Sequence, residues 1–198
     1  MALESLAIYF QAFIVLFVVF DPIGNIPLFH TFTVKFDTKE KRRIINSSVL
    51  IALVILVFFA IAGAFILGIF NVSISDFMVA GGILLFILAV EGLLGREEGR
   101  WIDSDDVAVV PLATPLMAGP GAIYTVIYLM VPPYGPIIAF AAIIANVLLQ
   151  WILLVYSEKI LRLIGKTGST VISRIMAFIL SAIAISMIIA GIKGAFGL

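Results

Sequence analysis

Two short motifs in this sequence bring together residue types that can hold a small polar solute. The first reads Asp-Pro-Ile-Gly-Asn-Ile-Pro at residues 21–27, and the second reads Thr-Pro-Leu-Met-Ala-Gly-Pro-Gly-Ala at residues 114–122. Proline removes a backbone donor and clashes with the preceding helical turn, while glycine adopts backbone angles that other residues resist. We therefore predict that each motif breaks a helix. The helix-breaking prolines are Pro22, Pro27, Pro115 and Pro120.

Asp21 is the ionisable residue of the first motif, and it lies within an apolar stretch. On insertion scales a charge at the centre of a bilayer costs at least about 2.5–3.5 kcal/mol, so such residues usually have a function. The carboxylate can bind an ammonium group, coordinate a cation or carry a proton. A structural role competes with these, because Asp followed by Pro22 is also a favourable helix start. The two roles are compatible, and we favour a functional one.

The second motif offers backbone donors where the first offers a carboxylate. Gly119, Gly121 and Ala122 open the second half of a broken helix, where free amide groups and the helix dipole suit an anion such as a carboxylate. A kink that only serves close helix packing is the alternative. Asn25 can contact a ligand or satisfy freed backbone groups, and Thr114 is better suited to bonding its own preceding turn. The predicted substrate-binding residues are Asp21, Gly24, Asn25, Thr114, Gly119, Gly121 and Ala122.

The elements that position these motifs are transmembrane helices. The chain has 198 residues, of which 63% are hydrophobic and 12% charged, with a mean hydropathy of +1.26. These values lie outside the range of soluble domains. Six apolar runs reach the ~20 residues that a spanning helix needs, whereas a β-barrel would show short alternating segments. The runs cover residues 5–33, 44–70, 76–95, 107–131, 135–157 and 171–192. We predict an all-α membrane protein with six transmembrane helices in a single domain, residues 1–198.

Basic residues predict the orientation of these helices. Eleven of the twelve lysines and arginines fall in the loops after the first, third and fifth helices, and basic residues accumulate on the cytoplasmic side. Loops 1–2, 3–4 and 5–6 should therefore face the cytoplasm, with both termini outside a cell membrane. The first apolar run has no basic leader, which predicts a permanent span instead of a signal peptide. Membrane lipids are expected partners, and a formal net charge of zero gives no support to nucleic-acid binding.

Two halves of three helices each predict an internal repeat of inverted topology. The two proline pairs of the motifs share a spacing of five residues, and each pair lies in the first helix of its half. Repeat 1 would cover about residues 5–95 and repeat 2 about residues 107–192. Discontinuous helices in such repeats place a substrate near the bilayer midplane. We therefore predict that the first and fourth transmembrane helices are broken at that depth.

The two motifs, together with Ala-Gly-Gly-Ile-Leu-Leu-Phe at residues 80–86, resemble those of the MarC family of small integral membrane proteins. The resemblance covers essentially the whole chain. Through its likeness to archaeal SnatA-type transporters, it implies transport of small neutral amino acids such as glycine and alanine. A small zwitterion would then bind between the two halves. Its ammonium group would meet Asp21, and its carboxylate would meet the amides of residues 119–122.

The expected activity is secondary transport by alternating access, with no cofactor. A proton or a sodium ion is the candidate coupling ion. A channel or an exporter for another small polar solute is the first alternative, and a membrane protein without transport activity is the second. The exact substrate, the direction of transport and self-association into a homo-oligomer stay open.

Enzymatic chemistry is not predicted, so no catalytic residue is assigned. An intramembrane aspartyl protease needs two embedded carboxylates, and Asp21 has no partner at a matching depth. A metalloprotease needs His-Glu-x-x-His, and His30 is the single histidine of the sequence. No metal site is predicted either. Asn46 and Asn146 are expected to form hydrogen bonds between helices.

Overall fold

The structure is a computed structural model, and it describes residues 2–33, 36–94 and 117–197. Within these ranges the regular structure consists of helices. They are α1 (Ala2–Phe20), α2 (Asn25–Thr33), α3 (Thr38–Ile69), α4 (Ile74–Leu94), α5 (Pro120–Leu129), α6 (Pro136–Val155) and α7 (Ser157–Phe196). The prediction of an all-α protein is confirmed for the described part of the chain.

Four of these helices are long and apolar enough to cross a membrane. They are α3, the Ile74–Glu91 part of α4, α6, and the Ala177–Phe196 part of α7. The Leu6–Phe20 part of α1 is a shorter apolar helix. A spanning helix needs about 20 apolar residues, which these four reach by length and composition. The helices therefore fit a chain that passes through the membrane several times.

The predicted break in the first apolar run is confirmed. Residues 21–24 form a turn that separates α1 from α2. In the fourth run, α5 begins only at Pro120, while Thr114 and Pro115 lie outside the described residues. A turn at residues 131–135 joins α5 to α6, as the Pro-Pro-Tyr-Gly-Pro sequence there predicts.

Two helices extend beyond the apolar runs that predict them. Helix α3 begins at Thr38, six residues before its run, because Asp37 and Glu40 form a capping box that starts the helix within a charged segment. Helix α7 begins at Ser157 and has a non-helical residue, Gly165, with φ 72°. Lysine, arginine and glutamate are good helix formers, so they end the apolar run without ending α3. In α7, Gly165 separates the charged first part from the apolar part.

The outer face of α3 is apolar, which fits contact with lipid. Its exposed side chains follow one another at helical spacing, and Phe65 is 72% exposed. The opposite face packs against α5 and α6 through Ala52, Leu56 and Ala60, which are buried. In water such an exposed stripe would be unfavourable. The exposed residues are Leu50, Val54, Phe58, Ile61, Phe65 and Ile69.

Helices α4 and α7 pack against each other through glycines. A Cβ atom added to Gly82 of α4 would lie 2.8 Å from the carbonyl oxygen of Ala184 in α7. Reciprocally, a Cβ atom added to Gly191 of α7 would lie 2.7 Å from the carbonyl oxygen of Ser75 in α4. Each helix thus supplies a glycine where the backbone of the other approaches, which is typical of packing between membrane helices.

We expect Gly82→Ala to lower the melting temperature, Tm, of the purified protein. The added methyl group meets backbone, so the two helices must separate, at a cost of about 1–3 kcal/mol in the free energy of unfolding. For a chain of this size each kcal/mol corresponds to about 2–4 °C. Gly68→Ala in α3 is the matched control, because no atom lies within 4 Å of its added Cβ. An equal Tm for the two variants would contradict this packing.

An ion pair joins the start of α3 to the start of α7. Lys41 Nζ lies 2.6 Å from Glu158 Oε1, and Arg162 adds a longer contact of 3.9 Å to Oε2. The hydrogen bond from Lys41 and its positive charge lower the pKa of Glu158 from its ordinary value of 4.5. The pair therefore stabilises the fold above pH 4.5, and its contribution is lost as the pH falls through the lowered pKa of the folded state.

We expect Glu158→Gln to reduce the stability of the protein at about pH 7 and to have a smaller effect at about pH 3, below the ordinary pKa of the carboxyl group. The Glu158 side chain is 44% exposed, so solvent screens the pair and the loss at neutral pH should be about 0.2–1 kcal/mol. The measurement is the Tm of both proteins in detergent at the two pH values. A difference in Tm that does not change with pH would show that the charge of Glu158 has no part in it.

Candidate functional site

The break after α1 is organised around Asp21. Its backbone N–H donates to the carbonyl oxygen of Phe17 at 3.0 Å and so completes α1. Its φ of 44° then turns the chain into the left-handed region, which Asp tolerates better than most residues. Its Oδ1 atom accepts a hydrogen bond of 3.0 Å from the N–H of Gly24. The side chain is buried, and it caps the start of α2 as the structural interpretation of the motif predicts.

Gly24 belongs to the same turn. A Cβ atom at this position would lie 2.7 Å from Asp21 Cγ, and closer still to one of its carboxylate oxygens. Any side chain would therefore displace the carboxylate from its present position. The structure gives Gly24 the role of donor and spacer for Asp21. Direct contact of Gly24 with a substrate stays a prediction.

Asn25 connects the break to α6. Its Nδ2 atom donates to the carbonyl oxygen of Phe20 at 3.0 Å and to Oε1 of Gln150 at 3.3 Å. The first bond satisfies a carbonyl at the end of α1, which is one of the two roles expected for Asn25. Gln150 is buried and is not among the predicted substrate-binding residues. Its signal in the sequence was an amide side chain four residues after Asn146 in an otherwise apolar helix.

The second motif begins α5 with backbone donors. Gly119 is extended, with φ −75° and ψ 172°, and Pro120 is the first helical residue. Glycine has no side chain to cap the helix, and proline has no N–H, so the first amide donors of α5 belong to Gly121 and Ala122. Both of these residues are buried. The start of α5 therefore presents the positive end of its dipole within the protein.

The structure packs the second motif against the end of α1, just before the first motif. A Cβ atom added to Gly121 would lie 2.7 Å from Cγ1 of Val19, two residues before Asp21. Leu85 of α4 and Met187 of α7 are the next neighbours, at 3.6 Å and 3.8 Å. The first turn of α5 is thus packed onto the last turn of α1, where α4 and α7 also meet.

The carboxylate of Asp21 takes no part in the ion pairs formed among the described residues. Those same residues contain no group of three or more His, Cys, Asp or Glu side chains that could hold a metal ion. The predicted bonds of the two asparagines between helices are confirmed. Asn146 Nδ2 donates to Phe13 O at 3.2 Å, and Trp151 Nε1 donates to Asn46 Oδ1 at 2.8 Å.

Comparison with known proteins agrees with the two motifs. Residues 6–196 match the family described as MarC family integral membrane proteins. The chain belongs to the MarC family. A UPF0056 membrane protein of Pyrococcus abyssi is 38% identical to this MarC family chain over 201 residues, which are 99% of this chain and 100% of that protein.

Other relatives of this MarC family protein come from both archaea and bacteria. A UPF0056 membrane protein of Methanocaldococcus jannaschii is 34% identical over 202 residues, covering 96% of this chain and 98% of that protein. The UPF0056 membrane protein YvbG of Bacillus subtilis is 36% identical over 202 residues, covering 94% of each. No solved structure matches the chain. These names state a membrane location and no substrate, and the chain is an integral, multi-pass membrane protein.

Proposed function

We propose that this protein is a secondary transporter of small neutral amino acids, such as glycine and alanine, that works by alternating access. One observation carries the proposal. The carboxylate of Asp21 is buried at a helix break, and the first turn of a second helix, α5, packs onto Val19, two residues before it. A negative group and a set of backbone donors thus occur together within a membrane protein, and such an arrangement suits a zwitterion.

Each end of a small amino acid finds a complementary group in this proposal. The ammonium group is bound by Asp21, which uses one oxygen to accept from Gly24. The carboxylate accepts from the amides of Gly121 and Ala122, where the helix dipole favours negative charge. The close approach of Gly121 to Val19 leaves little space, so large side chains are excluded and glycine and alanine fit best.

The proposed architecture has six transmembrane helices in two inverted repeats, about residues 5–95 and 107–192, within a single domain. Its support lies in which helices touch. In such a repeat α3 corresponds to α6 and α4 corresponds to α7, and each pair packs together. Because α5 then corresponds to α2, the contact between α4 and α5 matches the contact between α7 and α2. In the same way, the contact between α3 and α5 matches the contact between α6 and α2. Rocking of one repeat against the other would expose the site alternately.

The proposed orientation places both termini outside and loops 1–2, 3–4 and 5–6 in the cytoplasm of the cell. Its support is the distribution of basic residues along the chain. A proton or sodium gradient is the proposed source of energy, because Asp21 is a buried carboxylate that can exchange either cation with the substrate.

Counterflow in liposomes tests whether the protein is a carrier. We expect labelled glycine to accumulate inside proteoliposomes that are preloaded with unlabelled glycine, and to accumulate much less when they are preloaded with an equal concentration of leucine. Empty liposomes control for leakage. Unitary currents without counterflow would favour a channel, and the absence of both with glycine and alanine would contradict the proposed function.

A further inference from the structure

Helix α6 carries two amide side chains that are completely buried, Asn146 and Gln150. They are four residues apart, so they lie one above the other on the same face of the helix. That face meets α1 and its break. Asn146 Nδ2 donates to Phe13 O, and Gln150 Oε1 accepts from Asn25 Nδ2. The two amides therefore extend the polar cluster of Asp21 and Asn25 along α6.

The orientation of both amides follows from their partners. The Asn146 amine donates to two carbonyl oxygens, of Phe13 at 3.2 Å and of Ala142 at 2.9 Å, so a flipped amide would lose both bonds. The amide orientation of Asn25 is fixed in the same way, because its Nδ2 atom donates to Phe20 O. The same Nδ2 atom then faces Oε1 of Gln150. Gln150 must consequently direct its own amine away from Asn25.

Two buried polar atoms remain without a hydrogen-bond partner among the residues that the structure describes. They are Oδ1 of Asn146, an acceptor, and Nε2 of Gln150, a donor. Burying such an atom unpaired is unfavourable, because it loses its hydrogen bonds to water and gains none in the protein. In native proteins such exceptions point to a bound water, an ion or a functional contact.

In the proposed orientation Asn146 lies on the outer side of Asp21, whereas Gln150, which bonds to Asn25, lies level with the break. Asn146 bonds to Phe13, which precedes Asp21 by about 12 Å along α1. One glycine molecule cannot span that distance, so Asn146 belongs to a separate position. A groove of about 610 Å³ between α1 and α6 reaches the same level, since Phe13, Ala142 and Ala145 line it.

We propose that Asn146 and Gln150 form an entry subsite for the amino acid, between this groove and Asp21. Nε2 of the Gln150 side-chain amide donates to the substrate carboxylate, and Oδ1 of Asn146 accepts from the ammonium group of the substrate. The subsite selects solutes that carry both groups close together, which is the chemistry of a small zwitterion. This inference rests on the proposed transport of amino acids and adds two residues to its path.

The test measures the concentration dependence of glycine uptake by proteoliposomes containing wild type, Gln150→Leu or Asn146→Leu. Loss of a hydrogen bond to a charged group should raise the KM by about tenfold or more, while the maximal rate per folded protein stays within about twofold of wild type. A purely structural role would change the Tm and the amount of folded protein but not the KM. Gln11→Leu on the exposed part of α1 is the control.

Gln150→Glu keeps the size of the side chain, and it is the test variant if the leucine variants do not fold. Its carboxylate repels that of the substrate, so we expect a higher KM here too. Folded variants with the KM of wild type would overturn the subsite and leave the proposed function intact, with the two atoms bound only to water. If wild type itself takes up neither glycine nor alanine, both the proposed function and the subsite are wrong.

Discussion

Asp21→Asn should abolish uptake of glycine and alanine while the protein keeps its fold. Asparagine has the same size, its oxygen can still accept from Gly24 N–H, and it adopts a positive φ more readily than aspartate. What disappears is the charge that holds the ammonium group or the coupling ion. Hydrogen bonds to charged groups contribute about 1.5–3 kcal/mol, so uptake should fall at least tenfold at low substrate concentration.

Comparison with Asp21→Ala distinguishes the effect of the Asp21 charge from the effect of its hydrogen bond to the start of α2. Alanine removes the acceptor of the Gly24 bond, which should lower stability by about 0.5–2 kcal/mol. If Asp21 only caps α2, Asp21→Asn will transport normally and Asp21→Ala will be the defective variant. Asp76→Asn is the matched control, because Asp76 caps the start of α4 through Ser73 in an exposed position. Normal uptake in folded Asp21→Asn would refute the assigned role.

Gly121→Leu should also eliminate transport, through a different physical cause. Its Cβ would lie 2.7 Å from Val19 Cγ1, so the leucine side chain must push α5 away from α1 or fill the space next to the first amides of α5. Overpacking of this kind costs about 1–3 kcal/mol in stability. Uptake of labelled glycine and the Tm of the same preparation are the two measurements.

A compensating substitution tests whether contact with Val19 causes the effect of a side chain at Gly121. Gly121→Ala introduces the same close contact with fewer atoms, and Val19→Ala removes the methyl group that it meets. The double variant should recover more stability than the sum of the single effects predicts, because the two residues are in direct contact. Gly68→Leu, with no atom near its Cβ, controls for a leucine in an apolar helix. Undiminished uptake by folded Gly121→Leu would rule out a tight site at this position.

The breaks and turns were predictable because their causes are local. Proline and glycine act on the backbone within a few residues, so the turn at residues 21–24 and the start of α5 at Pro120 follow from the motifs themselves. The capping of α2 by Asp21 is equally local, since its partner is Gly24. Helix ends were less well predicted where charged residues continue a helix beyond its apolar run, as at Thr38.

Contacts between distant parts of the chain were not predictable in the same way. Gln150 meets Asn25 across 125 positions, and no local pattern indicates that pair. An amide in an apolar helix predicts some bond between helices, as it did for Asn146, but it does not identify the partner. Likewise, the glycine motif of α5 predicted a helix start, whereas its packing against Val19 depends on how α1 and α5 are placed together.

Binding of labelled glycine to the purified protein in detergent, measured by equilibrium dialysis, tests most directly whether the helix breaks form an amino acid site. The account predicts saturable binding by wild type that alanine displaces and leucine does not, with at least about tenfold weaker binding by Asp21→Asn. Absence of saturable glycine binding by folded wild type, or equal binding by wild type and Asp21→Asn, would contradict it.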